Sequence, residues 1–216
     1  MNIFIMGAPG SGKGTFSSRI KEEFNLNHIS TGDIFRANLA NGTPLGIQAK
    51  AYMEQGKLVP DEITNNMVKD YLATLTDKKN GYLLDGYPRT LDQAKAFEEM
   101  TNGTDLAVDV VLTMDIPFEV LNRRITGRRS CKNCGAIYNI YSLPPKQEGI
   151  CDECGSELTQ RKDDNEESLK TRLSEYSANT EPVIEYFEQK GIVSHIDAAQ
   201  PMEDIWASIK ETLKNK

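Results

Sequence analysis

The sequence predicts an α/β protein with a parallel sheet flanked by helices and two small insertions. Three observations carry this. Short apolar runs alternate with stretches of helical period along most of the 216 residues, and strands alternating with helices build a parallel sheet covered on both faces. A glycine-rich stretch, GAPGSGKGT over Gly7–Thr15, stands between the first apolar run and the first helical stretch. No internal repeat or low-complexity tract competes with the alternation.

Taken in order, Ile3–Met6 is short and wholly apolar, as a buried strand is. It lacks the basic flank and the length of an export signal. Lys13–Phe24 has helical period, and a short strand is expected near His28–Ile29. Helices are expected over Ile34–Ala40 and Ile47–Gln55, with Thr31 and Asp33 as candidate caps and Asn41-Gly42 as a stop. Glu62–Leu75 reads as a helix, Tyr82–Leu84 as a strand and Leu91–Met100 as a helix. Val108–Met114 is the next strand and Phe118–Arg124 the next helix. Glu166–Lys190 is helical throughout, but Pro182 should kink or split it, and Gly191 ends it. A strand over Ile192–Ile196 and a helix over Met202–Leu213 complete the pattern.

Two segments interrupt the alternation. Residues 30–59 read as a helix pair without a strand, and residues 128–164 are rich in Cys, Gly, Pro and polar groups without helical period. The expected organisation is a core of residues 1–29, 60–127 and 165–216 carrying two inserted lobes, 30–59 and 128–164.

Hydrophobic residues make up 38% of the chain, and no apolar run approaches the roughly 18 to 20 residues of a membrane span. A cytoplasmic protein is expected. The net charge of -7 argues against broad binding to nucleic acid or membrane. Positive charge is nevertheless dense at Arg123, Arg124, Arg128, Arg129 and Lys132. One basic segment in an acidic protein suggests a local anion site, the alternative being a solvated helix face.

In Gly7–Thr15, Gly7, Gly12 and Lys13 keep the spacing of a phosphate-binding P-loop, G-x-x-x-x-G-K-[ST]. Backbone N–H groups from Gly10 through Ser11 and Gly12 to Gly14 can form an anion nest, and the helix start adds partial positive charge. Lys13 supplies a point charge for the outer phosphates. The residue after the lysine is Gly14, and the hydroxyl arrives one position late at Thr15. That speaks against the GTPase and motor type, in which the hydroxyl beside the lysine ligates Mg²⁺. The fold class sharpens to a P-loop NTPase-type sheet.

The four cysteines form C-x2-C…C-x2-C: Cys131, Cys134, Cys151 and Cys154, with sixteen residues between the pairs. This is close to the zinc-ribbon pattern, and Gly135 and Gly155 supply the turns. Two disulfides are the alternative, which a cytosolic chain disfavours. The four ligands leave no open position, so a structural Zn²⁺ is expected. A lobe of some 37 residues cannot bury enough apolar surface to hold its own shape, and a metal does so instead.

GAPGSGKGT is followed in order by HISTGDIFR (His28–Arg36), KLVPDE (Lys57–Glu62), LLDGYPRT (Leu83–Thr90), GRR (Gly127–Arg129) and RKDD (Arg161–Asp164). From residue 1 to about residue 200 the chain resembles the bacterial adenylate kinases with a long, zinc-binding lid. The resemblance implies transfer of the terminal phosphoryl group of Mg·ATP to AMP, giving two ADP, by a monomer. It casts residues 30–59 as an AMP-binding lobe and 128–164 as the lid. Two positions depart from the family: Phe16 stands where Gln is usual, and Tyr87 where Phe is usual. Phe16 is expected to face the core.

The acceptor in such a reaction is already an ionised phosphate, so no base is needed. The difficulty is bringing two anions together, which surrounding cations relieve. Arginine suits this because its planar fork binds phosphate through two hydrogen bonds and keeps its charge. By resemblance, Arg36 and Arg89 hold the acceptor phosphate, Arg124 and Arg128 serve the donor side with Lys13, and Arg161 and Arg172 span the transferred group. Asp85, at a strand end, is expected to act through metal-bound water, with Asp33 either sharing that role or capping a helix. Thr31, Lys57, Leu58, Val59 and Gln93, with Gly86, Tyr87 and Pro88 of the turn, match the AMP pocket. A glutamine amide suits adenine because it donates and accepts at once. Ile137, Tyr138 and Gln200 match positions bordering the ATP base and ribose, although Tyr138 equally suits the core of the small lobe.

His28 and His195 have no ligand-like spacing, and Trp206 reads as a packing anchor. Asp163-Asp164 is either part of the lid hinge or a solvated charge run. Two rival functions remain at this point: a kinase for another nucleoside monophosphate, and a P-loop regulator whose zinc ribbon docks nucleic acid or protein.

Overall fold

The structure of the protein, a computed structural model, describes residues 1–74 and 80–215. In chain order the first elements are β1 (Asn2–Gly7), α1 (Lys13–Phe24), β2 (Asn27–Ser30), α2 (Thr31–Ala40), α3 (Pro44–Glu54), α4 (Asp61–Thr74) and β3 (Tyr82–Asp85). Then come α5 (Leu91–Thr101), β4 (Val110–Asp115), α6 (Phe118–Gly127), β5 (Arg128–Cys131), β6 (Ile137–Asn139) and β7 (Leu158–Thr159). The chain closes with α7 (Glu166–Glu175), a π turn over Tyr176–Thr180, α8 (Glu181–Glu188), β8 (Val193–Asp197) and α9 (Met202–Lys214).

Five strands pair in parallel in the order β2-β3-β1-β4-β8. Asp85 lies opposite both Ile5 and Ser30, so β2 and β3 end level with each other, two residues short of the end of β1. Chain segments leaving those ends therefore meet at one edge of the sheet, where open α/β sheets place their ligands.

Side-chain alternation covers both faces. Ile3 and Ile5 join Phe16 and Ile20 of α1 and Ile205, Trp206 and Ile209 of α9. Phe4 and Met6 point the other way, to Val68 and Leu72 of α4, Phe97 of α5, and Val183 and Phe187 of α8. Phe4 meets Phe97 edge-on at 5.0 Å and Phe187 at 5.8 Å, a favoured aromatic geometry. Phe16 is 4% exposed within the first cluster, as its place on the inner face of α1 predicts.

Several boundaries differ from expectation. α2 starts at Thr31 because the Ser30 hydroxyl accepts from the Asp33 N–H, so Ser30 is the cap and Thr31 and Asp33 are helical residues. β4 begins at Val110; before it, Asp109 donates its N–H to the Asn2 carbonyl and accepts the Asn2 N–H on its carboxylate. α6 runs on to Gly127. Leu75, the expected end of the helix seen as α4, lies outside the described residues. The long C-terminal helix is split by the π turn, and Pro182 falls in the first turn of α8, where no N–H is required.

Residues 30–59 carry α2 and α3, which cross so closely at Gly46 that a Cβ there would lie 2.3 Å from the Asn38 backbone. Phe35, Ala49 and Val59 form a small core beside them. Residues 128–164 carry a separate antiparallel sheet, β6-β5-β7, with its own cluster of Cys131, Tyr138, Cys151 and Leu158.

Candidate active site

The glycine-rich loop turns from β1 into α1 around Lys13. The Lys13 ammonium donates to the Gly7 carbonyl at 2.6 Å and the Ala8 carbonyl at 3.0 Å. Gly12, with φ of 100°, caps α1 in a left-handed conformation that glycine adopts without steric cost. A Cβ on Gly14 would lie 3.1 Å from Ile137 Cδ1. The glycine after the lysine therefore lets the small lobe approach the helix start. Burial pushes the Lys13 pKa down to about 8, with Asp85 opposing that shift and Arg89, Arg172 and Arg128 adding to it. A buried cation crowded by cations is a site electrostatically prepared for an anion.

The loop opens onto a cleft of about 460 Å³. Lining it are Gly10, Gly12, Lys13, Gly14 and Thr15 from the loop and Asp85, Gly86, Tyr87, Pro88 and Arg89 from the end of β3. Arg36, Arg124, Arg128, Arg161 and Arg172 converge on it from four further segments. Ile137, Tyr138 and Gln200 complete the side nearest the small lobe. Ser11 does not line the cleft; its side chain is fully buried behind the loop, with Oγ 3.5 Å from Lys13 Nζ.

Among the described residues, five of the six arginines have hydrogen-bond or ion-pair partners around the cleft. Arg89 Nε donates to the Gly86 carbonyl at 2.7 Å. Gly86 has φ of 79°, and a Cβ there would lie 2.8 Å from the Arg89 guanidinium, so only glycine fits. Arg124 donates to the Ala198 carbonyl at 3.0 Å and, at 3.4 Å, to that of Ser11. Arg36 pairs with Asp33 at 2.5 Å. Arg128 forms a two-pronged pair with Asp164, and Arg172 pairs with Asp163 at 3.1 Å. Burial lowers the pKa of Arg161, and Arg36 and Arg128 push it further in the same direction. Asp164, whose side chain is fully buried, is thus no member of a solvated charge run.

A smaller cavity of about 90 Å³ shares Arg36, Gly86, Arg89 and Arg172 with the cleft. Thr31, Lys57, Leu58, Val59 and Gln93 line it. The Thr31 hydroxyl donates to the Gly86 carbonyl at 2.9 Å. Gln93 accepts the Arg89 N–H at 2.7 Å and donates to Asp61 at 2.7 Å. The two chambers join at the cations Arg36, Arg89 and Arg172.

In the small lobe the sulfur atoms of Cys131, Cys134, Cys151 and Cys154 lie within 4.8 Å of one another. The four sulfur atoms gather in one cluster rather than in two separate pairs, an arrangement that favours a shared metal over two disulfides. Gly135 and Gly155 donate backbone N–H groups to the carbonyls of Cys131 and Cys151, closing a tight turn after each pair. Four soft sulfur donors facing one point fit a tetrahedral metal. Tyr138 belongs to both expected settings: it is 7% exposed in the lobe core and also borders the cleft.

The residues set aside behave accordingly. His28 is mostly buried and its pKa is lowered by that burial, while His195 bonds Asp115 and Glu188, which raise its pKa. Trp206 anchors the α9 core under the Arg19 guanidinium at 4.7 Å. Sequence reasoning missed Asn139, Leu143, Pro201 and Met202 on the cleft wall and Asp61 behind Gln93. Asp61 reads in the sequence only as an acid at a helix start.

The adenylate kinase family model matches residues 5–192. Adenylate kinase from Thermodesulfovibrio yellowstonii is 47% identical over 216 residues, covering 100% of both chains. That from Clostridium tetani is 47% identical over 213 residues, 99% of this chain and 98% of its own. That from Clostridium botulinum strain Loch Maree is 49% identical with the same coverage.

Proposed function

The chain belongs to the adenylate kinase family, and on that premise we propose how its residues divide the work. The reaction is ATP + AMP ⇌ 2 ADP, with the nucleotide carried as its Mg²⁺ complex. An AMP phosphate oxygen bonds to the terminal phosphorus of ATP as the bond to the bridging oxygen breaks, and the released electron pair stays on the departing ADP.

The larger chamber, floored by Gly10, Gly12, Lys13, Gly14 and Thr15, takes ATP, with Ile137, Tyr138 and Gln200 at its base and ribose. The smaller chamber takes AMP, with Thr31, Lys57, Leu58, Val59, Gly86 and Gln93 around it and Tyr87 and Pro88 on the adjoining wall of the larger one. Arg36 and Arg89 hold the acceptor phosphate, Arg124 and Arg128 the donor, and Arg161 and Arg172 the group in transit. Their positive charge offsets repulsion between the two nucleotides and does so without reorganisation at the moment of transfer. When bound with the nucleotide, Mg²⁺ would offset charge on the donor phosphate oxygens, and Asp85 at the end of β3 is the residue that would hold it through water. Residues 30–59 act as the AMP lobe and 128–164 as the lid over the core of 1–29, 60–127 and 165–216. Both lobes exclude water that would otherwise accept the phosphoryl group.

We assign the four cysteines to a structural zinc ion, because all four positions are protein thiols and none is open to substrate. No described helix is long and apolar enough to cross a membrane. The proposal includes a cytoplasmic monomer without nucleic-acid or membrane partners, supported by the net charge of -7 and the free thiols.

The observation that carries this reading is the convergence of Lys13 and six arginines on two joined chambers. A coupled assay tests it: ADP should form from ATP only when AMP is present. A screen with AMP, UMP, CMP and GMP should favour AMP. ATP turnover independent of any nucleoside monophosphate would support a regulator instead, and preference for UMP would reassign the smaller chamber.

A further inference from the structure

Gln93 is 2% exposed and lines the smaller chamber. A carboxamide has an accepting oxygen and a donating amino group of nearly equal shape. Turned one way it pairs with a base edge that runs donor then acceptor; turned over, it pairs with the reverse. Adenine presents a 6-amino donor beside the N1 acceptor. A 6-oxo purine presents an oxygen acceptor beside an N1–H donor. A glutamine free to turn over therefore cannot tell the two apart.

Here it is not free. The Arg89 backbone N–H, which can only donate, holds Oε1 at 2.7 Å. The Asp61 carboxylate, which can only accept when ionised, holds Nε2 at 2.7 Å. Turning the amide over would oppose donor to donor and acceptor to acceptor at both ends. Asp61 is itself fixed, because its second oxygen accepts the Thr90 hydroxyl at 2.7 Å. That same hydroxyl accepts the Gln93 N–H at 3.1 Å, so the frame is tied to the first turn of α5.

We propose that Asp61 is a positioning residue that sets purine choice: by locking the Gln93 carboxamide in one orientation, it makes the acceptor site select 6-amino over 6-oxo purine nucleotides. The proposal rests on the reading of Gln93 as the acceptor-base contact. A site built to hydrogen-bond one edge rejects its inverse strongly, because mismatched groups are left buried and unpaired.

The test measures kcat/KM for AMP and for inosine monophosphate at saturating ATP in the wild type, Asp61→Asn and Gln93→Ala. Asp61→Asn keeps the volume but lets a donor face Gln93, so the AMP-to-IMP ratio should fall at least about tenfold. Both acceptors are assayed on the same sample, so a reduced folded fraction cancels from the ratio. Asp61→Ser serves if the asparagine variant does not accumulate. A purely structural Asp61 would lower both acceptors equally and leave the ratio unchanged, which overturns the proposal. Gln93→Ala separates the two levels. If it collapses the ratio while the Asp61 variants do not, only the lock is wrong. If Gln93→Ala also leaves the ratio intact, Gln93 is not the base contact, and the reading beneath the proposal falls with it.

Discussion

Arg89 illustrates how one residue joins both chambers. Its guanidinium is fixed by the Gly86 carbonyl, its N–H orders Gln93, and its own carbonyl accepts the Thr180 hydroxyl at 3.0 Å. Only the first of these contacts uses the side chain, so truncation removes the charge and leaves the backbone frame. Arg89→Ala is expected to lower turnover by roughly two to three orders of magnitude, the scale seen when one prearranged donor is lost. The melting temperature should change little. Arg89→Lys should not restore activity, because an ammonium lacks the planar fork. Near-normal turnover in Arg89→Ala would remove this residue from the site. The importance of such arginines was legible from the surrounding motifs, but their partners were not. Asp164 read as either part of the lid hinge or a solvated acid, and only the structure shows it as the buried partner of Arg128, 36 positions away.

At the scale of elements, the small lobe depends on something other than apolar burial. Its core comprises Cys131, Tyr138, Cys151 and Leu158, with Ala136 packed beside it. Two of those four are candidate metal ligands, so removing the ion takes away both the crosslink and part of the core. A chelator should therefore lower the melting temperature while leaving residual turnover at low temperature, read by calorimetry and the coupled assay together. Loss of all turnover with the lobe still folded would make the metal catalytic rather than structural. The C-terminal helices show a different lesson. Pro182 marked the break, but the sequence could not say that the break would be a π turn. Thr180 ends that turn, and its hydroxyl is directed to the Arg89 carbonyl. The contact is tertiary, and no local periodicity encodes it.

For the whole molecule, the organising fact is the concentration of cations at one sheet edge in a chain of net charge -7. Seven cations face one cleft and, among the described residues, only Arg36, Arg128 and Arg172 have carboxylate partners, so a polyanion bound there relieves the remaining repulsion. Inorganic tripolyphosphate at about a hundred times its dissociation constant should add about 2.7 kcal/mol of stability. For a chain of this size that is roughly 5 to 10 °C in melting temperature. High salt should weaken the effect by weakening binding. No shift with tripolyphosphate would mean that the guanidinium groups do not act as one anion site.

By itself the sequence determined the α/β alternation, the phosphate loop, the paired cysteines and the family. These rest on local spacing: side-chain period, glycine where the backbone must turn left-handed, and ligand pairs with two residues between them. The tertiary structure decided what stands opposite what. It set Asp61 behind Gln93, Asp164 against Arg128, Ile137 over Gly14 and Ser30 rather than Thr31 at a helix start. Those pairings join separate segments, and electrostatic and steric fit between them exists only once the sheet has brought its strand ends together.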